Sequence, residues 1–279
     1  MRILAFVFAL FLCSPSPKEL PVHFENNLMW LVLEQDEHIF HIYLDTGGVE
    51  YLHNKGKKKL DRQHYQTFSA LLDIHEIPLP QNPILRERSQ TEDDAMLGRG
   101  WFGDRTWLID YDDERIVFEP EERVFENSLP LTFKSENGRH LHHLPSLTIV
   151  VEEDSIPLLL DTGAQLNCSP EAAELFGGQL VATSFINASI FDYWVSHHPE
   201  WTMIPLGDAQ YDADVIIVPS LFIGNKRVQN VAFTRREDVN FEVMSTHFMG
   251  ESISGALGGN ALYQLGSIII DYRNELLSF

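Results

Sequence analysis

Two stretches of this chain are versions of one phrase. Ile42-Tyr43-Leu44-Asp45-Thr46-Gly47-Gly48 and Leu158-Leu159-Leu160-Asp161-Thr162-Gly163-Ala164 each run an apolar strand into Asp-Thr-Gly. Two more blocks recur in the same order. Met96-Leu97-Gly98-Arg99-Gly100-Trp101-Phe102 answers Ala256-Leu257-Gly258-Gly259-Asn260-Ala261-Leu262. Leu108-Ile109-Asp110-Tyr111 answers Ile269-Ile270-Asp271-Tyr272, and each is followed by a Phe seven residues after the Tyr, Phe118 and Phe279. By average composition a given tripeptide occurs by chance in about one chain in thirty of this length. Three ordered blocks occurring twice constrain the fold far more: the chain is two copies of one unit.

The copies differ in their middles, with 52 positions from Asp45 to Leu97 against 96 from Asp161 to Leu257. Boundaries follow at 22–125 for a first lobe, 126–143 for a polar, His-rich linker, and 144–279 for a second lobe. His140, His142 and His143 in that linker have no carboxylate or Cys at local ligand spacing, so no metal is expected and the segment reads as a solvated connection. The coarse pattern is all-β with a few short helices. Leu28–Leu33 with Ile39–Leu44, and Leu147–Val151 with Ile156–Leu160, read as hairpins around acidic turns. Val215–Val218, Leu221–Ile223 and Val228–Phe233 read as further strands, turning at Pro219-Ser220 and Gly224-Asn225. Ser169-Pro170-Glu171 opens a helix that Gly177-Gly178 closes. A second helix is expected over 61–73, Lys55-Gly56-Lys57-Lys58-Lys59 as a solvated loop, and the aromatic Phe191–Trp194 segment as a loop packed on the sheet.

Charge and cysteine content remove whole classes. With 41 acidic against 20 basic side chains the net charge is −21, which repels nucleic-acid phosphates and an anionic bilayer. Two cysteines, Cys13 and Cys168, make neither a disulfide scaffold nor a thiolate zinc site. Residues 1–16 read as an export signal: Arg2, then an apolar run from Ile3 to Leu12 that spans about 15 Å as a helix, roughly half a bilayer core. No transmembrane anchor is expected, and Cys13 is a weak candidate for lipidation. An exported protein follows, whether periplasmic, outer-membrane-associated or secreted. Strand-like sequence begins by Leu28, leaving little room for a long basic pro-segment.

An Asp at the end of a buried strand is costly unless paired, hydrogen-bonded or protonated. If the two units pack about a pseudo-two-fold axis, Asp45 and Asp161 meet there and share one proton. One is then a base for water and the other an acid for a carbonyl oxygen, which hydrolyses an amide without metal, cofactor or covalent intermediate. Gly47 and Gly163 allow backbone N–H groups to approach the carboxylates. Thr46 and Thr162 offer hydroxyls that bond across the axis.

These motifs resemble the retropepsin-like aspartic peptidases, in a form with two tandem Asp-Thr-Gly lobes fused in one chain, like the bacterial exported members. The resemblance runs over most of residues 25–279. It implies a bilobed acid-protease fold, a monomer, catalytic roles for Asp45 and Asp161, and a cross-lobe grip by Thr46 and Thr162. The substrate it implies is a peptide or protein. It also implies that Met96-Leu97-Gly98 and Ala256-Leu257-Gly258 pack beneath the Asp loops. The chain departs from the family pattern at Gly48, at Gly100 and at Gly259. No glycine-rich flap is legible between Val49 and Ala95, where Tyr51 or Tyr65 could cover the site. The function expected is an aspartic endopeptidase. The alternative is an inactive protein of the same fold that binds peptides or a protein partner.

Overall fold

The structure, a computed structural model, describes residues 17–61, 67–81, 86–88 (as strand backbone) and 93–279. The expected signal over 1–16, with Cys13, and the flap candidate Tyr65 lie outside these residues. Among the described residues no helix is long and apolar enough to cross a membrane.

The chain is mostly strand, arranged in three large sheets. The first runs Val22–Glu25, Leu28–Gln35, His38–Leu44, Ala95–Leu97, Tyr51–His53, Arg86–Arg88 in spatial order. The second begins with six strands of the same connectivity: Thr132–Glu136, Arg139–Val151, Asp154–Leu160, Gly255–Leu257, Ser184–Asn187, Lys226–Arg236. In both, an antiparallel meander ends in the Asp-Thr-Gly strand. That strand pairs in parallel with the strand leading into Leu-Gly, Leu44 against Leu97 and Leu160 against Leu257. The next pairing is antiparallel and the last parallel in both sheets. The repetition seen in the sequence is thus repetition of topology.

A third sheet joins the halves. Its order is Lys18–Glu19, Arg115–Phe118, Thr106–Asp110, Ser267–Asp271, Leu276–Ser278, Ser128–Pro130. At its centre Leu108 pairs with Ile269, its own counterpart in the repeat, while Trp107 faces Ile270 and Ile109 faces Ile268. A self-complementary pairing of this kind places a pseudo-two-fold axis through the Leu108–Ile269 pair. The core beneath it is aromatic: Trp101 and Trp107 lie 4.2 Å apart, Phe102 packs edge-on to both, and all three are fully buried.

The extra length of the second half is accounted for by two insertions. One, between the Asp-Thr-Gly turn and Ser184, holds the small hairpin Gln165–Asn167/Leu180–Ala182 and the helix Pro170–Phe176. Ser169 caps that helix by accepting from the Ala172 amide, and Gly177 ends it at φ 76°, as the sequence predicts. The other adds the edge strands Thr202–Asp208 and Ala213–Ile223.

Several local expectations are corrected. The turn expected at Pro219-Ser220 is absent, because Ala213–Ile223 is one strand. Its ladder passes from Val218–Val231 to Ser220–Gln229, so the missing N–H of Pro219 falls opposite the left-handed Asn230 (φ 51°) and costs one pair only. Residues 188–197 form a helix rather than a loop, capped by Asn187 and buried through Phe191 and Trp194. The lysine run is the helix Asn54–Leu60, because Leu60 is buried and Lys59 reaches the buried Asp94 carboxylate at 2.7 Å. The helix expected over 61–73 is seen as Phe68–Ile74, capped by Thr67. The segment read as a solvated linker contributes Ser128–Pro130 to the shared sheet and Thr132–Glu136 and the start of Arg139–Val151 to the second. Its polarity reflects edge positions in those sheets, not coil.

Candidate active site

Asp45 and Asp161 follow directly on their strands, and each backbone is tied to the neighbouring Leu-Gly segment. The Asp45 amide donates to the Leu97 carbonyl and the Asp161 amide to the Leu257 carbonyl, both at 3.0 Å. The two Leu-Gly segments therefore lie directly under the Asp loops. Space there is minimal: a Cβ on Gly258 would stand 1.7 Å from the Thr183 carbonyl oxygen.

The site repeats the self-complementary pattern of the shared sheet. The Thr162 amide donates to Thr46 Oγ1 at 2.9 Å, and Thr46 Oγ1 donates onward to the Leu160 carbonyl at 2.9 Å. Reciprocally, the Thr46 amide donates to Thr162 Oγ1 at 3.2 Å, and that hydroxyl reaches the Leu44 carbonyl at 3.5 Å. Both threonines are fully buried. Each turn thus holds the other by two bonds.

This grip brings the carboxyls together. Gly47 faces the opposite carboxyl so closely that a Cβ would lie 2.6 Å from Asp161 Cγ, and a Cβ on Gly163 would lie 2.2 Å from Asp45 Cγ. The Gly47 amide donates to Asp45 Oδ1 at 2.9 Å, and the Gly163 amide to Asp161 Oδ1 at 3.1 Å. Both aspartates keep partial solvent access. The surrounding protein raises both pKa values by desolvation. For Asp161 the proximity of the Asp45 carboxyl adds to the rise, and the Gly163 and Ala164 amides oppose it. For Asp45 the Gly47 and Gly48 amides oppose it. The pair therefore retains one proton where an ordinary carboxylate has lost it, and the two carboxyls titrate as a unit.

Tyr43, which sequence reasoning missed, stands beside the pair. Its hydroxyl donates to the Gly163 carbonyl at 3.0 Å, so it bridges from one half to the opposite turn. Burial, then the charges of Asp45 and Asp161, push its pKa well up, and it stays a neutral donor. A signal existed: two residues before Asp45 on a strand, Tyr43 shares its face.

The departures at Gly48 and Gly100 resolve as exchanges of volume. A Cβ on Gly48 would meet Asp45 Oδ2 at 2.5 Å and Met96 Cε at 2.9 Å. The second half has Ala164 and Ala256 in those places, so the first half moves bulk from the turn to the adjoining strand. Where the second half has Asn260, accepting from Ser184 Oγ at 2.9 Å and donating to Ala232 O, the first has Gly100. The missing side chain is replaced by Glu50, the counterpart of Ser184. Its Oε1 accepts from the Trp101 amide at 2.9 Å and would lie 3.0 Å from a Cβ at position 100. At Gly259 a Cβ would stand 2.3 Å from the Asn27 carbonyl oxygen, so the first half's turn excludes any side chain there.

No covering hairpin is brought to the dyad from the first half among the described residues. Tyr51 sits on its strand opposite Met96, stacked on His53. The hairpin of the second half, with its turn over Ala209–Asp212, folds onto the Gln165–Asn167 strand instead. There the Ala209 amide donates to the Asn167 carbonyl at 2.7 Å. Cys168 is buried beside it as a free thiol, its pKa pushed up to about 11 by burial and by Asp208.

No family model matches the chain, and no curated protein does. Among solved structures it is similar to a retropepsin-like aspartic protease from Rickettsia conorii, at 14% identity and a TM-score of 0.33 over 57% of this chain and 94% of that one. It is also similar to conglutin gamma, a basic 7S globulin from lupine seeds, at 11% identity and a TM-score of 0.45 over 95% of both chains. A third likeness is to edgp, at 11% identity and a TM-score of 0.41 over 95% of this chain and 94% of that one. Likenesses this distant carry no weight on chemistry, which rests on the Asp45–Asp161 geometry.

Proposed function

We propose that the chain is an aspartic endopeptidase with two retropepsin-like lobes, 22–125 and 144–279, joined through 126–143 and meeting at Asp45 and Asp161. The observation that carries this reading is geometric: each turn's glycine faces the other's carboxyl, Gly47 against Asp161 and Gly163 against Asp45, held there by the reciprocal Thr46–Thr162 bonds. A structural carboxylate at such a place would be neutralised by a basic group; here each aspartate has the other and a set of amides.

The chemistry follows from one shared proton. With the shared proton on Asp161, Asp45 accepts a proton from a water that attacks the scissile carbonyl carbon. Asp161 gives its proton to the carbonyl oxygen, and a tetrahedral diol forms. Collapse returns a proton to Asp161 from the diol as Asp45 protonates the departing amine, which restores the starting pair. Thr46, Thr162, Gly47 and Gly163 keep the carboxyls close, and Tyr43 fixes the Gly163 side of the turn. Peptides or proteins are the substrates, and residues 1–16 are the export signal that would place the enzyme outside the cytoplasm.

The test is hydrolysis of a mixed peptide library by the purified chain across pH, beside Asp45→Asn and Asp161→Asn. Turnover by the parent and none by either folded variant supports the reading. Peptide binding without turnover by the parent would replace it with a binding protein of the same fold.

A further inference from the structure

We propose that His140, His142 and Glu275 form a site for a divalent first-row transition ion, with zinc as the reference occupant. It lies at the joint between the second sheet and the shared sheet, apart from the aspartate pair. His140 and His142 are two apart on the strand Arg139–Val151, so their rings project from one face. Glu275 comes from the turn between Ser267–Asp271 and Leu276–Ser278, more than a hundred residues away in sequence. Its left-handed backbone (φ 58°), anchored by the Leu131 amide on its carbonyl at 2.8 Å, presents the carboxylate to both rings.

One oxygen, Glu275 Oε1, meets His140 Nδ1 and lies 2.9 Å from His142 Nε2. The other nitrogen of His142, Nδ1, is 2.7 Å from Asp104 Oδ1. Carboxylates can only accept, so a neutral His142 ring gives its one N–H to either Asp104 or Glu275 and leaves the lone pair of its other nitrogen facing a carboxylate oxygen. A second ring proton satisfies both carboxylates; a metal ion ligated by Nε2 and Oε1 takes the place of that proton while Nδ1–H stays on Asp104. A carboxylate on the far nitrogen of a ligating histidine is the arrangement that fixes the ring and raises its basicity toward a metal.

All three ligand atoms lie within 4.8 Å of one another. Tetrahedral ligands at about 2.0–2.1 Å from zinc stand roughly 3.3 Å apart, so the cluster accepts the ion by rotating the Glu275 carboxylate and widening slightly. Two imidazoles and one carboxylate, with a fourth position toward solvent, suit zinc or cobalt better than magnesium or calcium. His140 and His142 are 47% and 21% exposed at their side chains, so an ion reaches them from solvent. The −21 charge of the chain favours its arrival. Bound there, the ion ties the second sheet to the shared one, with Asp104 of the first half behind it.

The experiment uses the tag-free full chain, stripped with chelator, titrated with Zn²⁺ against a chromophoric competitor and with Co²⁺ by visible absorption. One site is expected in the parent. His140→Ala and His142→Ala should each weaken it at least a hundredfold, Glu275→Gln at least tenfold, and Asp104→Asn ten- to a hundredfold through the ring it orients. His198→Ala, at a second histidine flanked by Glu152 and Glu200, should leave it unchanged. Near-ultraviolet circular dichroism in chelator checks each fold, and His142→Asn supplies a milder variant should the alanine fail to fold. A parent that binds Zn²⁺ no better than the His140/His142 double variant overturns the proposal. So does a cobalt spectrum that survives both substitutions or disappears with His198.

Discussion

The two threonines of the grip are not equivalent, and the difference is large enough to measure. Thr46→Val keeps the shape of the side chain and removes its hydroxyl. Two bonds go: the 2.9 Å bond accepted from the Thr162 amide and the 2.9 Å bond donated to the Leu160 carbonyl. The site is fully buried, so the Thr162 N–H is left without a partner at about 1–3 kcal/mol, and the second bond adds roughly 1 kcal/mol. A total of about 2–4 kcal/mol is expected, a large share of the stability of an ordinary domain. Thr162→Val strands the buried Thr46 N–H in turn, but removes only a 3.2 Å bond and a contact at 3.5 Å, the outer limit of a hydrogen bond, and should cost about 1–3 kcal/mol. Thr46→Ser keeps the hydroxyl and loses a methyl group, for about 1 kcal/mol. Urea unfolding at constant pH, followed by fluorescence and circular dichroism together, gives the three values. The double valine variant should cost less than the sum, since both singles open the same interface. Thr46→Val within 0.5 kcal/mol of the parent, or less harmful than Thr46→Ser, would refute the grip as a stabilising device.

Other consequences are separable. Because the pair's carboxyls have raised pKa values, the folded chain holds a proton there that the unfolded chain has released, so this contribution to stability is full at low pH and falls as pH rises above about 4. Asp161→Asn, which cannot ionise, should therefore gain stability relative to the parent between pH 4 and 7 in urea titrations; a difference that stays flat or runs the other way contradicts the shared proton. Peptide hydrolysis should follow a bell in pH with its optimum on the acid side of neutrality, shifting lower as salt screens the −21 charge; a rate still climbing at pH 9 would exclude the dyad. Lys59→Met strands the fully buried Asp94 carboxylate and should destabilise by about 3–5 kcal/mol in the same unfolding assay. Gly100→Asn should cost about 1–3 kcal/mol by crowding Glu50, and adding Glu50→Ser should restore at least half of it.

What the sequence made legible was what the repeat forces on both halves at once. Asp45, Asp161, the threonines and the Leu-Gly segments occur in duplicate, and the structure puts each copy in the same backbone relation to its own turn. Hairpins with strict apolar patterns, such as Leu28–Gln35 with His38–Leu44, were equally readable. The parts that escaped are those fixed by one long-range contact. The lysine run folds as a helix on account of Asp94, thirty-five residues beyond Lys59, and no local pattern announces that partner. Glu275 reaches the histidines from the far end of the chain, so a search for ligands at local spacing was bound to miss it. Tyr43 was within reach, since strand alternation alone puts it on the face of Asp45.

The differences between the halves say more about the site than their likeness does. Gly48 with Met96 answers Ala164 with Ala256, and Glu50 with Gly100 answers Ser184 with Asn260. In each case one side chain is smaller where its neighbour is larger, so the space beside the turn is filled by different residues. The backbone is what both versions keep: the Gly48 and Ala164 amides each lie 3.2 Å from the carbonyl of their own Asp. Drift that preserves the turn to this degree, in halves whose remaining loops share little, points to a constraint on the position of the two carboxyls rather than on packing. A core alone would accept many other solutions at the same volume. Two carboxyls that share one proton through a hydrogen bond accept few, because a shift on the order of 1 Å breaks a bond of ordinary length.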